Sequence, residues 1–427
     1  MTTLANAPQK IALRPRPAVG LGYQMIGQEE EDLVLQVVRS RQPFRYYGTD
    51  TKNPPSMAAN LEKEWAAMMG GKYALAVTSG TAALETALGA LAIGPGDEVI
   101  LPAWSWISCW TAIIRVGATP VLAEIDENLC LAPGEITRLK TLRTKAAMVI
   151  HFQGVAADMD KIVPECKAAG IKLIEDCAEA AGVTYKGKYV GSFADVACYS
   201  LQYNKVITSG EGGLVMCNDP ILYERAVRMH DLGQVRPYHA QILGGKTQVP
   251  AFAGDQFRMN ELSAAMGLAQ LRKLGELKSK CRKIQSIILE KLQGLKGVSI
   301  RPVPDPTGDL GFEMYVYLPD KATADAIRHK LDAANVNCNK ITGTYNHYAR
   351  EYGQNGHAHS PTASPFHDIQ MPAKGYRPQD FPRTESLVYR FIALPIGVKY
   401  TEEDAVYIGD AFRQAHAEVV ENNSAGA

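Results

Sequence analysis

Residues 200–213 read SLQYNKVITSGEGG. They overlap the end of an apolar run, Val196 to Leu201, whose length and flanking turn residues predict a buried strand, and they carry one lysine, Lys205, toward a run of small residues. Six more runs of this kind occur: Tyr73 to Val77, Glu98 to Pro102, Thr119 to Ile125, Ala147 to Phe152, Lys172 to Glu175 and Gly213 to Cys217. Helix-like stretches separate several of them, which predicts an α/β fold built on a mostly parallel seven-stranded sheet with both faces covered. That large domain, with an N-terminal segment, is expected over residues 1–265, and a smaller C-terminal α/β domain over 266–427. The pattern there changes to a long helix from Leu262 to Leu292 with room for a break, a strand at YVYLPD, and helices at Lys321 to Ala334 and Glu402 to Glu418. Between them, Thr342 to Phe381 is rich in Gly, Pro, His and Tyr and is expected to take its order from a neighbouring site. The last residues, ENNSAGA, read as frayed.

Composition narrows the class of activity. The 427 residues are 46 % hydrophobic, enough for a large core, and Lys plus Arg equals Asp plus Glu at 45 each, so no bulk basic field marks a nucleic-acid binder. No apolar run approaches the roughly 18 to 20 residues of a membrane span, and MTTLANAPQKIALRPRPAVG lacks the apolar core of a secretion signal, so a cytoplasmic location is expected. The eight cysteines are scattered without C-x-x-C spacing, which predicts neither a metal site nor a disulfide framework. They read as small apolar residues, with Cys177 placed near any site that uses its neighbour Asp176.

Four segments carry chemistry. An amine held where its ammonium is poorly solvated loses its proton more easily and can trap an aldehyde, which is what Lys205 offers at the end of a buried strand. In VTSGTAALETALGALAIG, residues 77–94, a strand runs through Ser79, Gly80 and Thr81 into a helix, whose free N–H groups and dipole make a seat for phosphate. In IKLIEDCAEAAG, residues 171–182, a strand ends in Glu175 and Asp176, where α/β sheets place their ligands and where a carboxylate can keep a pyridine nitrogen protonated. LPAWSWISCW, residues 101–110, holds three of the four tryptophans, whose faces suit stacking on a flat ring; Trp104 and Trp110 read as core. Taken singly, a surface lysine, an ordinary helix cap, a capping aspartate and core aromatics explain each segment equally well. Together they are the set that pyridoxal 5′-phosphate requires.

In this order, and joined by QMIGQEEEDLVLQVVRS (24–40), HFQGVAADMD (151–160) and GDQFRMNELSAAMGLAQL (254–271), the segments resemble the DegT/DnrJ/EryC1/StrS aminotransferases over nearly the whole chain. These are fold type I enzymes that use pyridoxal 5′-phosphate to aminate keto-sugars and keto-cyclitols. The resemblance implies that Gly80 and Thr81 give backbone N–H groups to the phosphate and Ser200 binds it as well. It implies that Trp106 stacks on the ring, Asp176 pairs with its nitrogen, and Lys205 holds the cofactor covalently and then serves as general base. Where many members carry Gln or His three residues after the aspartate, this chain has Glu179, a variant similar to that of perosamine-type synthases, placed toward the cofactor's phenolic oxygen. Where the family often has Asn in a G-x-N-x-R segment lent by the partner subunit, this chain has Gln256, followed by Arg258; a homodimer with shared sites is implied. The amino donor implied is L-glutamate or L-glutamine. Two alternatives accompany this expectation: a dehydrating branch similar to the aminohydroxybenzoate synthases, and a cofactor-retaining regulatory protein without turnover. A dehydratase branch that replaces the lysine by histidine is argued against by Lys205.

Overall fold

A computed structural model describes residues 12–46, 56–338, 345–366 and 375–421. Its strands are β1 Tyr73–Val77, β2 Glu98–Pro102, β3 Thr119–Ala123, β4 Thr144–Ile150, β5 Lys172–Asp176, β6 Thr184–Tyr185, β7 Lys188–Tyr189, β8 Val196–Ser200, β9 Gly213–Cys217, β10 Ser299–Ile300, β11 Glu313–Tyr317 and β12 Phe391–Pro395. Seven of them form the main sheet in the order β1-β9-β8-β5-β4-β2-β3. Only β9 runs against its neighbours, β1 and β8; every other pair is parallel. The sheet is thus the mostly parallel one that the apolar runs predict.

The differences from the sequence expectation lie at strand ends. Strand β3 stops at Ala123, because Ile125 leaves the sheet to bridge Leu131 in a local turn. Strand β4 begins earlier, at Thr144, and stops at Ile150, where Phe152 enters a short 3-10 turn. Both Ile125 and Phe152 are buried, so apolarity continues past the point where pairing ends. The long helix is broken at Lys273, which closes Glu261–Arg272 and opens Leu274–Leu292.

Helix starts follow local chemistry. Ser56, Ser79, Asn260 and Asp320 each accept a bond from a backbone N–H of the helix they precede, and Thr401 forms a capping box with Asp404. Helix Glu261–Arg272 packs on Gln28–Ser40 and Met57–Met69, whereas Leu274–Leu292 packs on Glu402–His416. In the small antiparallel sheet β10-β11-β12, strand β12 packs on helix Lys321–Ala333.

The described parts of the Thr342 to Phe381 stretch attach to the chain around Trp104. Ser105 N–H donates to the Tyr345 carbonyl (2.9 Å), His347 N–H donates to Ala103 (3.1 Å), and Trp104 bridges Asn346. This pairing delivers Tyr345 to the mouth of the main sheet. Residues 342–344 and 367–374 of that stretch, and 422–427 of ENNSAGA, lie outside the described residues. Among the described residues no helix is long and apolar enough to cross a membrane.

Candidate active site

Strands β5 and β8 point their C-terminal ends at one cavity of about 440 Å³, where ligands of α/β sheets collect. Gly80, Thr81, Trp106, Asp176, Glu179, Ser200 and Lys205 all line it. Gln256 does not; it is exposed, on a segment bridged to Asp231. Arg258, two residues on, is ion-paired within its own chain to the buried Asp231, which Arg236 also holds at 2.9 Å.

One end of the cavity is built from close backbone contact. Ser79 uses its hydroxyl to accept the Ala82 N–H (3.0 Å) and its carbonyl to accept that of Ala83 (3.0 Å). The first N–H groups of the helix Gly80–Ala90, those of Gly80 and Thr81, are then left for an anion. A Cβ on Gly80 would lie 2.8 Å from the Ser200 Cβ and 3.0 Å from its Oγ, so only glycine lets the helix start and the end of β8 close around the same spot. The Thr81 hydroxyl is fixed by donation to Ser108 (2.8 Å).

At the other end Asp176, 4 % exposed, accepts the Ala178 N–H (2.9 Å) and the Cys109 thiol (3.1 Å). Burial, reinforced by Asp176 itself, pushes the Cys109 thiol well above its usual range, so it stays a neutral donor. Two donors leave further acceptor capacity on the carboxylate, which suits a protonated ring nitrogen. Neighbouring Glu175 is fully occupied in a different task. It accepts from His151 Nε2 (2.9 Å) and from the N–H groups of Gly191, Phe193 and Ala194 (2.7, 2.9 and 2.8 Å), while His151 Nδ1 accepts the Ala157 N–H (3.1 Å). His151, Glu175 and Cys177 lie close enough to suggest a ligand set, but these bonds tie the buried pair into the scaffold beneath Asp176.

Lys205 Nζ stands 3.4 Å from Glu179 Oε1. The same oxygen faces the Tyr345 hydroxyl at 3.4 Å, and Oε2 accepts the Gln153 N–H at 3.3 Å. Burial first, then the charges of Glu179 and Glu313, push the Tyr345 phenol far up, so it remains a donor to Glu179. Gln153 holds the left-handed conformation (φ 46°, ψ 60°), uncommon for a residue with a side chain, and the next N–H, that of Gly154, bonds the Glu179 carbonyl at 2.9 Å. Trp106 is 43 % exposed with its ring edge on Tyr345 (5.6 Å between centroids), while Trp104 and Trp110 are core.

Sequence reasoning missed Gln153, Tyr345, Cys109 and Glu313 as members of this group. Cys109 had one available signal, its position one turn after Trp106. Gln153 also had one, its place just past a predicted strand end within HFQGVAADMD; for Tyr345 and Glu313 nothing short of the chain path connects them to the site.

These residues fit pyridoxal 5′-phosphate: a glycine-shaped anion seat, a lysine within the same cavity, and a buried carboxylate with spare acceptor capacity. Comparison with known proteins agrees. Residues 49–413 match the family model described as the DegT/DnrJ/EryC1/StrS aminotransferase family. The chain is 33 % identical to a GDP-perosamine synthase of Escherichia coli O157:H7, over 84 % of this chain and 90 % of that one. It is 36 % identical to the L-glutamine:2-deoxy-scyllo-inosose aminotransferase of Streptoalloteichus tenebrarius, over 62 % of this chain and 64 % of that one. The crystal structure of 3-amino-5-hydroxybenzoic acid synthase superposes with a TM-score of 0.77 at 25 % identity, covering 95 % of this chain and all of that one. The sheet, the cavity and the matched sequence together make this chain a member of the DegT/DnrJ/EryC1/StrS family, the pyridoxal 5′-phosphate-dependent aminotransferases of fold type I.

Proposed function

We propose that the enzyme moves an amino group from L-glutamate or L-glutamine to the ketone of a sugar or cyclitol. The observation that carries this reading is the convergence of Lys205, Asp176, Trp106, Ser200 and the Gly80–Thr81 helix start on one cavity, in a chain whose relatives include a sugar and a cyclitol aminating enzyme. The cofactor supplies a protonated pyridine that accepts the charge left when a proton leaves the donor's α-carbon. The protein's residues do the rest. Lys205 takes that proton and returns one in the second half-reaction. Asp176 holds the ring nitrogen protonated, the Gly80 and Thr81 N–H groups with the Ser200 hydroxyl hold the phosphate, and Trp106 sets the ring plane. Glu179, 3.4 Å from Lys205 Nζ, holds the amine in place when it is free.

In this reading residues 1–265 form the cofactor domain and 266–427 the smaller one, and the working unit is a cytoplasmic homodimer. Gln256, exposed and outside the lining of its own chain's cavity, extends to the partner's phosphate seat. The test is spectroscopic. Either amino acid alone should convert the bound cofactor to its amine form with release of the keto acid, and a keto-sugar or keto-cyclitol should then reverse the change. Release of an aromatic product would favour the aminohydroxybenzoate-type reading, and no spectral change with either donor would contradict the proposal.

A further inference from the structure

We propose that Glu313 reads a hydroxyl group of the carbonyl acceptor and so selects a polyhydroxylated ring. The inference rests on the aminotransferase reading above and adds a residue to it. Glu313 opens β11 and stands opposite Pro395 of β12, and with Phe312 and Ile396 these form the wall that the small sheet contributes to the cavity. It is 7 % exposed, yet its Oε1 has no hydrogen-bond partner among the described residues. The nearby cation does not satisfy it. Arg301 donates to the carbonyls of Phe152 (3.1 Å) and Gln153 (3.0 Å) and lies over the Tyr315 ring.

A buried acceptor of this kind that borders a cavity is completed by whatever fills the cavity. Its environment says what that is. The wall that Glu313 forms with Phe312, Pro395 and Ile396 contributes no basic side chain to the lining among the described residues, so it does not suit a phosphate. Burial, against the opposing pull of Arg301 and with help from Glu179, raises the Glu313 carboxyl to about 8. At neutral pH it carries its proton and offers a donor and an acceptor side by side, the combination that matches an alcohol. An alcohol uses both, whereas the amino donor's own carboxylate, which only accepts, uses one.

The experiment compares wild-type holoenzyme with Glu313→Gln, which keeps donor and acceptor but cannot ionise, and Glu313→Leu, which keeps neither. Two ketones serve as probes: scyllo-inosose, an uncharged keto-cyclitol, and a GDP-linked 4-keto-6-deoxyhexose. The Leu variant should lose about 10- to 100-fold in kcat/KM for the accepted ketone while the half-reaction with L-glutamate slows by less than about threefold. The Gln variant should stay within about threefold at pH 7 and, unlike wild type, keep its acceptor kcat/KM as pH rises past 8. If the Leu variant does not fold, this contrast in pH profile decides alone. Equal acceptor kinetics in all three proteins, or a parallel loss of donor and acceptor steps, overturns the Glu313 assignment only. If wild type aminates neither ketone although glutamate converts its cofactor, the acceptor reading falls and Glu313 with it.

Discussion

The Glu179 carboxylate lies between two hydroxyl- or amine-bearing side chains from distant parts of the chain, 3.4 Å from Lys205 Nζ and 3.4 Å from the Tyr345 oxygen. Replacing Glu179 by Gln removes that charge but keeps a group able to meet Gln153 and Tyr345. Because that carboxylate positions Lys205 and Tyr345 together, the Gln variant should slow the donor half-reaction by about tenfold or more in stopped-flow absorbance while still taking up cofactor; an unchanged rate would show that Glu179 does not position the amine.

Gly80→Ala places a methyl group 2.8 Å from the Ser200 Cβ. The helix start or the end of β8 must move, at a cost of about 1–3 kcal/mol, and the phosphate seat opens with it. Cofactor affinity should fall by about tenfold or more in an absorbance titration, accompanied by a lower melting temperature. A variant that binds as tightly as wild type would remove Gly80 from the seat.

Asp176→Asn preserves size and loses the charge proposed to hold the ring nitrogen protonated. The donor half-reaction should slow by about 100-fold or more in stopped-flow absorbance. Retained speed would mean that the ring works unprotonated or is held by another group.

Glu313 also makes a statement about stability. Its carboxyl has an ordinary value of 4.5 and is raised to about 8 in the fold, so over that interval the native state binds a proton that the unfolded state has released. Stability from this group is therefore fully present below about 4.5, declines as pH rises toward 8, and is flat above. Glu313→Gln should gain thermal stability over wild type across that window, the gap widening with pH in melting curves. A gap independent of pH would contradict the raised carboxyl.

Exchange of subunits tests the proposed dimer. Arg258 is a poor site for the test because its removal strips a partner from buried Asp231, whereas Gln256 is exposed. Lys205→Ala and Gln256→Glu proteins should each be weak. After mixing, half the dimers are mixed and each has one intact site, so activity should approach about a quarter of wild type. Demonstrated exchange without recovery would show that the sites are not shared.

The sheet was legible because a buried strand writes itself as a short apolar run, and all seven runs became strands of one sheet. Their ends were not, since Ile125 and Phe152 are as buried in turns as they would be in strands. Asp176, Ser200 and Lys205 were legible because each sits at or just after a strand end, and Gly80 because it opens a helix. Tyr345 and Glu313 were not. Their places come from two separate excursions of the chain, the pairing of residues 345–347 with 103–105 and the start of the small sheet's central strand, and neither has a periodic or local signature.

The central claim is that Lys205 is the residue that carries the cofactor. Borohydride reduction of the holoenzyme, followed by proteolysis and mass spectrometry, tests it most directly. The account predicts loss of the visible absorbance band and a single peptide bearing reduced cofactor on Lys205. A label on any other lysine, or purified protein that takes up no pyridoxal 5′-phosphate, would contradict it.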